Sequence, residues 1–93
     1  MPDKKIHEHL VFFYGDGCSH CMKMEVHLDC LEKEEGIFVC KMEVWNNKEN
    51  EKMLEECDKE PCGGVPFFIN KKTGKTICGE AEYHEIKSWA KGE

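Results

Sequence analysis

The sequence predicts an α/β fold with the element order β-α-β-α-β-β-α and a four-stranded mixed sheet. Three observations predict it. Apolar runs bounded by turn residues indicate buried strands. The stretch after the first run has apolar residues at helical spacing, and a turn rich in Asn, Lys and Gly joins the last two runs as a hairpin. A chain of 93 residues is expected to form a single domain, residues 1–93.

The elements are predicted to follow one another with short connections. We expect strands over residues 9–14, 37–44, 65–69 and 75–78, and helices over residues 18–34, 48–58 and 82–91. Gly36 is placed to end the first helix in the left-handed conformation, and Asn46 and Asn47 can cap the second. Because a helix separates the first two strands, these are expected to be parallel with a right-handed crossover. The second helix is mostly polar and is expected to be peripheral.

The composition limits the classes of partner. The chain carries 19 acidic residues, 13 lysines and no arginine, for a formal net charge of −6. A nucleic acid or an anionic membrane would favour a basic face, so neither partner is expected. The N-terminal residues are polar, and the first apolar run is too short for a signal segment or a membrane span. We therefore expect a cytoplasmic, mostly reduced protein that is a monomer.

The first apolar run leads through a Gly-Asp-Gly turn into Cys18-Ser19-His20-Cys21. Cysteines three apart lie on one side of a helix, close enough to bridge. Cys18 would lie at the helix N-terminus, where free N–H groups and the macrodipole favour a thiolate, so its pKa is predicted at roughly 5–7. An imidazolium at His20 would make the pair more oxidising; the alternative is a surface histidine. This context favours redox chemistry over a structural zinc site, which needs four ligands.

Five further cysteines make the total odd, at seven. Four are expected to be small core or half-buried hydrophobes: Cys30, Cys40, Cys57 and Cys78. Cys62 precedes Pro66 in a loop, and it could bridge Cys57 or join Cys57 in supplying metal ligands beside the first pair. Histidines 7, 9, 27 and 84 have no spacing that selects a metal and are expected to be solvated. Three residues of the last helix are expected in the core (Tyr83, Ile86 and Trp89), whereas Trp45 is either core or part of a substrate rim.

This element order, with Cys-x-x-Cys opening the first helix and Val65-Pro66 opening the third strand, resembles the thioredoxin fold over nearly the whole chain. Residues 11–21 resemble its active-site strand and loop, residues 64–66 resemble its cis-proline loop, and Gly79 is placed like a family glycine. The resemblance implies that Cys18 attacks a substrate disulfide and that Cys21 resolves the mixed disulfide. It also implies that Pro66 is cis and packs against the thiols, and that Gly64, Val65 and Pro66 bind an extended substrate.

The chain departs from the thioredoxin pattern at informative positions. It begins at the active-site strand, as glutaredoxins do, without the extra N-terminal strand and helix. Gly17 stands where thioredoxins usually have tryptophan, and Phe12 stands where they have a buried aspartate that accepts a proton. Gly64 replaces the threonine of glutaredoxins, and the glutathione-binding loop is reduced to residues 79–81. Glutathione alone is therefore predicted to be a poor reductant of this protein.

These observations predict a thiol-disulfide oxidoreductase of the thioredoxin-like superfamily. Its catalytic residues would be Cys18 and Cys21, assisted by His20, with a disulfide-containing protein as substrate and an upstream reductase as electron donor. No cofactor and no metal are expected. The alternatives are a glutaredoxin-like electron carrier and a non-catalytic metal-binding module that uses Cys18, Cys21 and Cys62.

Overall fold

The computed structural model describes residues 6–57 and 64–92. Its elements, in chain order, are the strands and helices β1 Ile6–Tyr14, α1 Ser19–Glu35, β2 Phe38–Glu43, α2 Lys48–Cys57, β3 Phe67–Asn70, β4 Thr76–Cys78 and α3 Tyr83–Lys91. The predicted element order and the α/β class are thereby confirmed. The largest difference in bounds is at β1, which begins at Ile6 and not at His9.

The four strands form one mixed sheet in the order β2-β1-β3-β4. β1 pairs in parallel with β2 and antiparallel with β3, and β3 and β4 form the predicted antiparallel hairpin. Helices pack on both faces of the sheet, so both faces of β1 are covered, which explains its continuous apolar run. Leu10 and Phe12 lie on one face, and Val11 and Phe13 lie on the other. The C-terminal end of β1 then leads directly into the loop that ends at Cys18, the cap of helix α1.

The two faces of the sheet carry cores of unequal size. The larger core lies between the sheet and helices α1 and α3, and its buried members are Leu10, Phe12, Cys18, Cys21, Met24, Leu28, Leu31, Val39, Phe68, Ile86, Trp89 and Ala90. The smaller core consists of Val11, Phe13, Val44 and Phe67, with α2 packed against it. No residue of α2 is fully buried, so the prediction of a peripheral second helix is confirmed. Tyr83 is only partly buried at the edge of the larger core, in contrast to the expected core position.

The ends of the first two helices are formed by the residues that the sequence predicted. Gly36 has a φ of 67°, and its N–H donates to carbonyls of the last turn of α1. This left-handed conformation is one that glycine adopts without steric cost. At the start of α2, the Asn47 Oδ1 accepts hydrogen bonds from the N–H groups of Glu49 (3.1 Å) and Asn50 (3.2 Å). Asn47 is therefore the cap of the second helix.

Asn70 connects the β3–β4 hairpin to helix α3. It is a buried polar residue, with 2% of its surface exposed. Its Nδ2 donates to the Trp89 carbonyl at 2.9 Å, and its Oδ1 accepts from the Lys72 N–H at 3.0 Å. The Trp89 Nε1 in turn donates to the Lys75 carbonyl at 3.2 Å. These hydrogen bonds fix the end of α3 against the turn of the hairpin.

We expect Asn70→Ala to lower the free energy of unfolding by about 2–3 kcal/mol, because two hydrogen bonds are lost and the Trp89 carbonyl keeps only the longer bond from the Gly92 N–H, at 3.3 Å. Urea denaturation of the wild type and the variant measures this difference. Asn46→Ala is a matched control, since Asn46 is exposed, and it should change stability by less than about 0.5 kcal/mol. Equal losses in the two variants would show that the Asn70 amide contributes nothing specific.

Candidate functional site

Cys18 forms the N-cap of helix α1. Its backbone is extended (φ −76°, ψ 113°), and its Sγ accepts a hydrogen bond from the Cys21 N–H at 3.2 Å. The Cys18 N–H donates to the Gly15 carbonyl at 3.0 Å, which closes the turn that precedes the helix. The sulfur therefore lies among the free N–H groups of the helix N-terminus, the position that favours a thiolate. The sequence predicted this placement of Cys18.

Cys21 is the more buried cysteine of the pair. Its exposed fraction is 1%, against 7% for Cys18, and both belong to the larger core. Burial, and then the hydrogen bond with Cys18, raise the pKa of the Cys21 thiol to about 12. A nearby carboxylate could accept the Cys21 proton, but the position at which the resemblance would place an aspartate is filled by Phe12, which is fully buried. Cys21 is therefore protonated at neutral pH.

Glu43, the last residue of β2, accepts a hydrogen bond from the loop that precedes Cys18. Its Oε2 accepts hydrogen bonds from the N–H groups of Asp16 (2.9 Å) and Trp45 (3.0 Å), and its Oε1 accepts one from Asn46 (2.8 Å). The hydrogen bond from Asp16, followed by those from Asn46 and Trp45, lowers the pKa of Glu43. The loop from β1 to α1 and the loop after β2 are thus held by one carboxylate. The sequence contained no signal for these hydrogen bonds of Glu43.

Trp45 lies against the same loop and is not part of the core. Its exposed fraction is 59%, and a Cβ atom built on Gly15 would overlap its indole ring. Glycine at position 15 is therefore what allows the ring to lie against the backbone of the loop before Cys18. Of the two roles that the sequence left open for Trp45, the core position is wrong, and a place on the rim of the site remains.

The resemblance implied a cis proline in the loop before β3, and the structure has one there. The Val65–Pro66 peptide bond is cis, and Pro66 is buried. Val65 is half-buried and packs against the core cluster that contains Cys18 and Cys21. The Pro66 carbonyl accepts a hydrogen bond from the Gly79 N–H at 2.8 Å, which ties this loop to the end of β4. Substrate binding by Gly64, Val65 and Pro66 remains a prediction.

His20 is paired with a carboxylate that sequence reasoning missed. The His20 Nδ1 lies 3.1 Å from the Glu80 Oε1, and the Lys23 Nζ lies 3.7 Å from the same oxygen. The hydrogen bond from His20 is the main reason that the pKa of Glu80 is lowered. His20 is exposed, as the alternative reading of a surface histidine supposed, but it has a defined partner. No sequence signal links His20 to Glu80, because the contact joins α1 to the loop after β4.

The remaining cysteines follow the prediction in part. Cys30, Cys40 and Cys57 are free and half-buried, as expected. Cys78 is exposed and disulfide-bonded, so its prediction as a small buried hydrophobe is wrong. The physical reason is that β4 is an edge strand, and its alternating positions are exposed. Because Cys57 is free, the alternative in which it bridges Cys62 is also wrong. Cys62 itself lies outside the described residues.

Among residues 6–57 and 64–92, one group of three side chains could together hold a metal ion: Glu82, His84 and Glu85. All three are exposed, and the group contains no cysteine. Within the described residues, Cys18 and Cys21 thus have no third ligand beside them. The proposed third ligand, Cys62, is not among those residues.

Two of the other histidines have side-chain partners. His84 pairs with Glu82 at 3.4 Å, and His27 stacks on Tyr83 with the ring centroids 6.1 Å apart.

Two solved structures have folds similar to that of this chain. A mutant thioredoxin from Halobacterium salinarum NRC-1 superimposes with a TM-score of 0.69 at 21% sequence identity, covering 89% of this chain and 71% of that one. The oxidized form of mitochondrial thioredoxin 3 from Saccharomyces cerevisiae superimposes with a TM-score of 0.64 at 23% identity, covering 90% of this chain and 76% of that one. The chain therefore has a thioredoxin-like fold, and the recognition made from the sequence is confirmed at the level of the fold.

No protein-family model matches the sequence, and no curated protein sequence is significantly similar to it. Among the described helices, none combines the length and the apolar character needed to cross a membrane.

Proposed function

We propose that this protein is a thiol-disulfide oxidoreductase that reduces disulfides in other proteins through Cys18 and Cys21. One observation carries the proposal. The Cys18 sulfur caps helix α1 and accepts the Cys21 N–H, while the partner thiol is buried and has a pKa of about 12. A nucleophilic thiol and a protected resolving thiol are the two parts that a dithiol exchange requires.

The reaction has two exchange steps. The Cys18 thiolate attacks one sulfur of a substrate disulfide, the substrate S–S bond breaks, and the other substrate sulfur leaves as a thiolate. Cys21 then loses its proton and attacks the Cys18 sulfur. The mixed disulfide breaks, the Cys18–Cys21 bond forms, and the second substrate thiol is released. The substrate gains two electrons from the protein, one proton from Cys21 and one proton from solvent, which had received the Cys18 proton when the thiolate formed. The protein is left oxidised.

Resolution by Cys21 is the step that this site makes difficult. Its thiol must ionise from a buried position with a raised pKa, and Phe12 offers no carboxylate to accept the proton. Forming the mixed disulfide consumes the Cys18 thiolate, and with it a negative charge that raises the pKa of Cys21. The substrate thiolate that leaves in the first step is a base at the right place and time to take the proton. We expect resolution to be the slower of the two exchange steps.

The surroundings of Cys18 favour an extended polypeptide as substrate. The exposed indole of Trp45 lies on one side of the loop before Cys18. The loop of Val65 and Pro66 offers backbone groups to a partner strand, as the resemblance implies. The oxidised protein would be returned to its dithiol form by an upstream protein dithiol, in the cytoplasm and as a monomer. Neither a cofactor nor a metal enters this scheme.

The proposal is tested with insulin disulfides as the substrate and dithiothreitol as the electron donor. The wild-type protein should accelerate reduction, and Cys18→Ser should abolish the acceleration. Cys21→Ser should accumulate a mixed disulfide between Cys18 and a substrate cysteine, which mass spectrometry detects. Cys30→Ser is the matched control, because Cys30 is a free and half-buried cysteine elsewhere on α1, and it should retain activity.

Three results would contradict the proposal. The first is Cys18→Ser reducing insulin as fast as the wild type. The second is Cys21→Ser turning over normally, which would indicate a monothiol mechanism. The third is stoichiometric zinc, in protein purified under reducing conditions, that is lost in Cys18→Ser without any dithiol activity in the wild type. That result would favour the metal-binding module.

A further inference from the structure

Lys23, and His20 whenever it is protonated, place positive charge in the same turns of helix α1 as the cysteine pair. There is no acidic residue in the first turn of the helix, and the side chains of His20 and Lys23 extend from its outer face. Cations near a helix N-terminal thiol add to the field that favours the thiolate. Left alone, Lys23 and a protonated His20 would stabilise the reduced form of the pair and make its disulfide a stronger oxidant.

Both side chains are instead directed to one carboxylate. The Glu80 Oε1 lies 3.1 Å from the His20 Nδ1 and 3.7 Å from the Lys23 Nζ. The lowered pKa of Glu80 means that this carboxylate is ionised throughout the neutral range. A full negative charge therefore lies within contact distance of the two groups that would otherwise favour the Cys18 thiolate.

The backbone on either side of Glu80 is fixed, although its side chain is partly exposed. The Gly79 N–H donates to the Pro66 carbonyl at 2.8 Å. The Ala81 N–H donates to the Met24 Sδ at 3.4 Å. The backbone at Glu80 is thus held on one side by Pro66, in the loop of the cis peptide bond, and on the other side by Met24 of α1. This arrangement distinguishes it from a surface glutamate that meets a histidine by chance.

We propose that Glu80 is a positioning residue for the cysteine pair: by binding His20 and Lys23 it withdraws positive charge from Cys18 and makes the Cys18–Cys21 disulfide harder to reduce. The inference rests on the proposed function and deepens it, since it says that Glu80 makes the Cys18–Cys21 dithiol a stronger reductant. It also changes the expectation for His20. The sequence predicted that this histidine makes the pair more oxidising, whereas Glu80 opposes that effect.

The test is the equilibrium of the pair with dithiothreitol at pH 7 and low salt. In this reaction the protein disulfide takes two electrons and two protons from dithiothreitol, which closes its own disulfide. Glu80→Gln should shift the equilibrium constant toward the dithiol form by about threefold, equivalent to about 14 mV for a two-electron couple. The shift should shrink in about 1 M KCl, because salt screens exposed charges.

Glu82→Gln is the matched control. It removes the same charge two residues further along, from a carboxylate that pairs with His84 at 3.4 Å and not with α1. Its equilibrium constant should stay within about 1.5-fold of the wild type. An equilibrium constant of Glu80→Gln that equals the wild-type value, moves in the opposite direction, or is matched by Glu82→Gln would overturn the proposal.

A double-mutant cycle shows whether Glu80 acts through His20. In a His20→Gln background, the effect of Glu80→Gln should fall by about half or more, because one of the two side-chain partners of Glu80 is gone. An undiminished effect would contradict the assigned role. Insulin reduction is measured on the same proteins. If the wild type fails to reduce insulin, the proposed function is rejected, and the equilibrium shift still tests the role of Glu80. If the wild type is active but Glu80→Gln leaves the equilibrium constant unchanged, only the role of Glu80 is rejected.

Discussion

Iodoacetamide is expected to alkylate Cys18 at least about a thousandfold faster than Cys21 in the native protein at pH 7. The reagent reacts with the thiolate. An ordinary thiol with a pKa of about 8.5 is roughly 3% ionised at this pH, whereas the Cys21 thiol, with a pKa of about 12, is roughly 0.001% ionised. Burial of Cys21, with an exposed fraction of 1%, widens the difference further. The ratio is measured by site-resolved mass spectrometry at short reaction times.

The pH dependence provides an internal check on this result. Alkylation of Cys21 should rise about tenfold for each pH unit between pH 7 and pH 10 without reaching a plateau, since its raised pKa lies above this range. Unfolded protein is the control, because both cysteines should then react at similar rates. Similar rates in the native protein, or a plateau for Cys21 near pH 9, would contradict the assignment of Cys21 as the protected thiol.

Replacement of Phe12 by alanine is expected to lower the free energy of unfolding by about 3–5 kcal/mol. Phe12 is fully buried on the internal strand, and its ring lies 4.8 Å from that of Phe68 and 5.8 Å from that of Tyr14, centroid to centroid. Removing the ring leaves a cavity in the core that also contains both cysteines. A loss of this size is a large part of the stability of a small domain, about 5–15 kcal/mol.

Urea denaturation with an unchanged m value measures the loss. Phe12→Leu, which keeps most of the volume, should cost clearly less than Phe12→Ala. Met22→Ala is the exposed control, because Met22 is 62% exposed, and it should stay within about 0.5 kcal/mol of the wild type. A loss below about 1 kcal/mol for Phe12→Ala would mean that the larger core does not depend on this ring.

The fold was predictable because its signals are local. The apolar run of β1, the helical spacing after Cys18 and the hairpin turn each lie within one short segment, and each produced the expected element. The position of Cys18 at the helix N-terminus follows from the same local pattern. The β1–β2 pair follows from a helical crossover and the β3–β4 pair from a turn. The β1–β3 pairing that joins them into one sheet was not predicted.

The contacts that adjust the site were not predictable, because they join segments far apart in the chain. Glu43 contacts the Asp16 N–H across 27 positions, and Glu80 contacts His20 from the loop after β4. Neither glutamate belongs to a periodic pattern or a motif, so both read as ordinary surface charges. The error at Cys78 has a related cause: alternation shows that two faces exist but not that an edge strand leaves one of them exposed.

The contact between Gly15 and Trp45 makes the identities of these two positions interdependent. A side chain at position 15 would occupy the volume that the indole ring now fills. The order in which substitutions arise therefore matters: a smaller residue at position 45 makes alanine acceptable at position 15, whereas alanine at position 15 must first displace the tryptophan. Homologous sequences should accordingly vary at these two positions together, with glycine retained wherever a large aromatic residue follows β2.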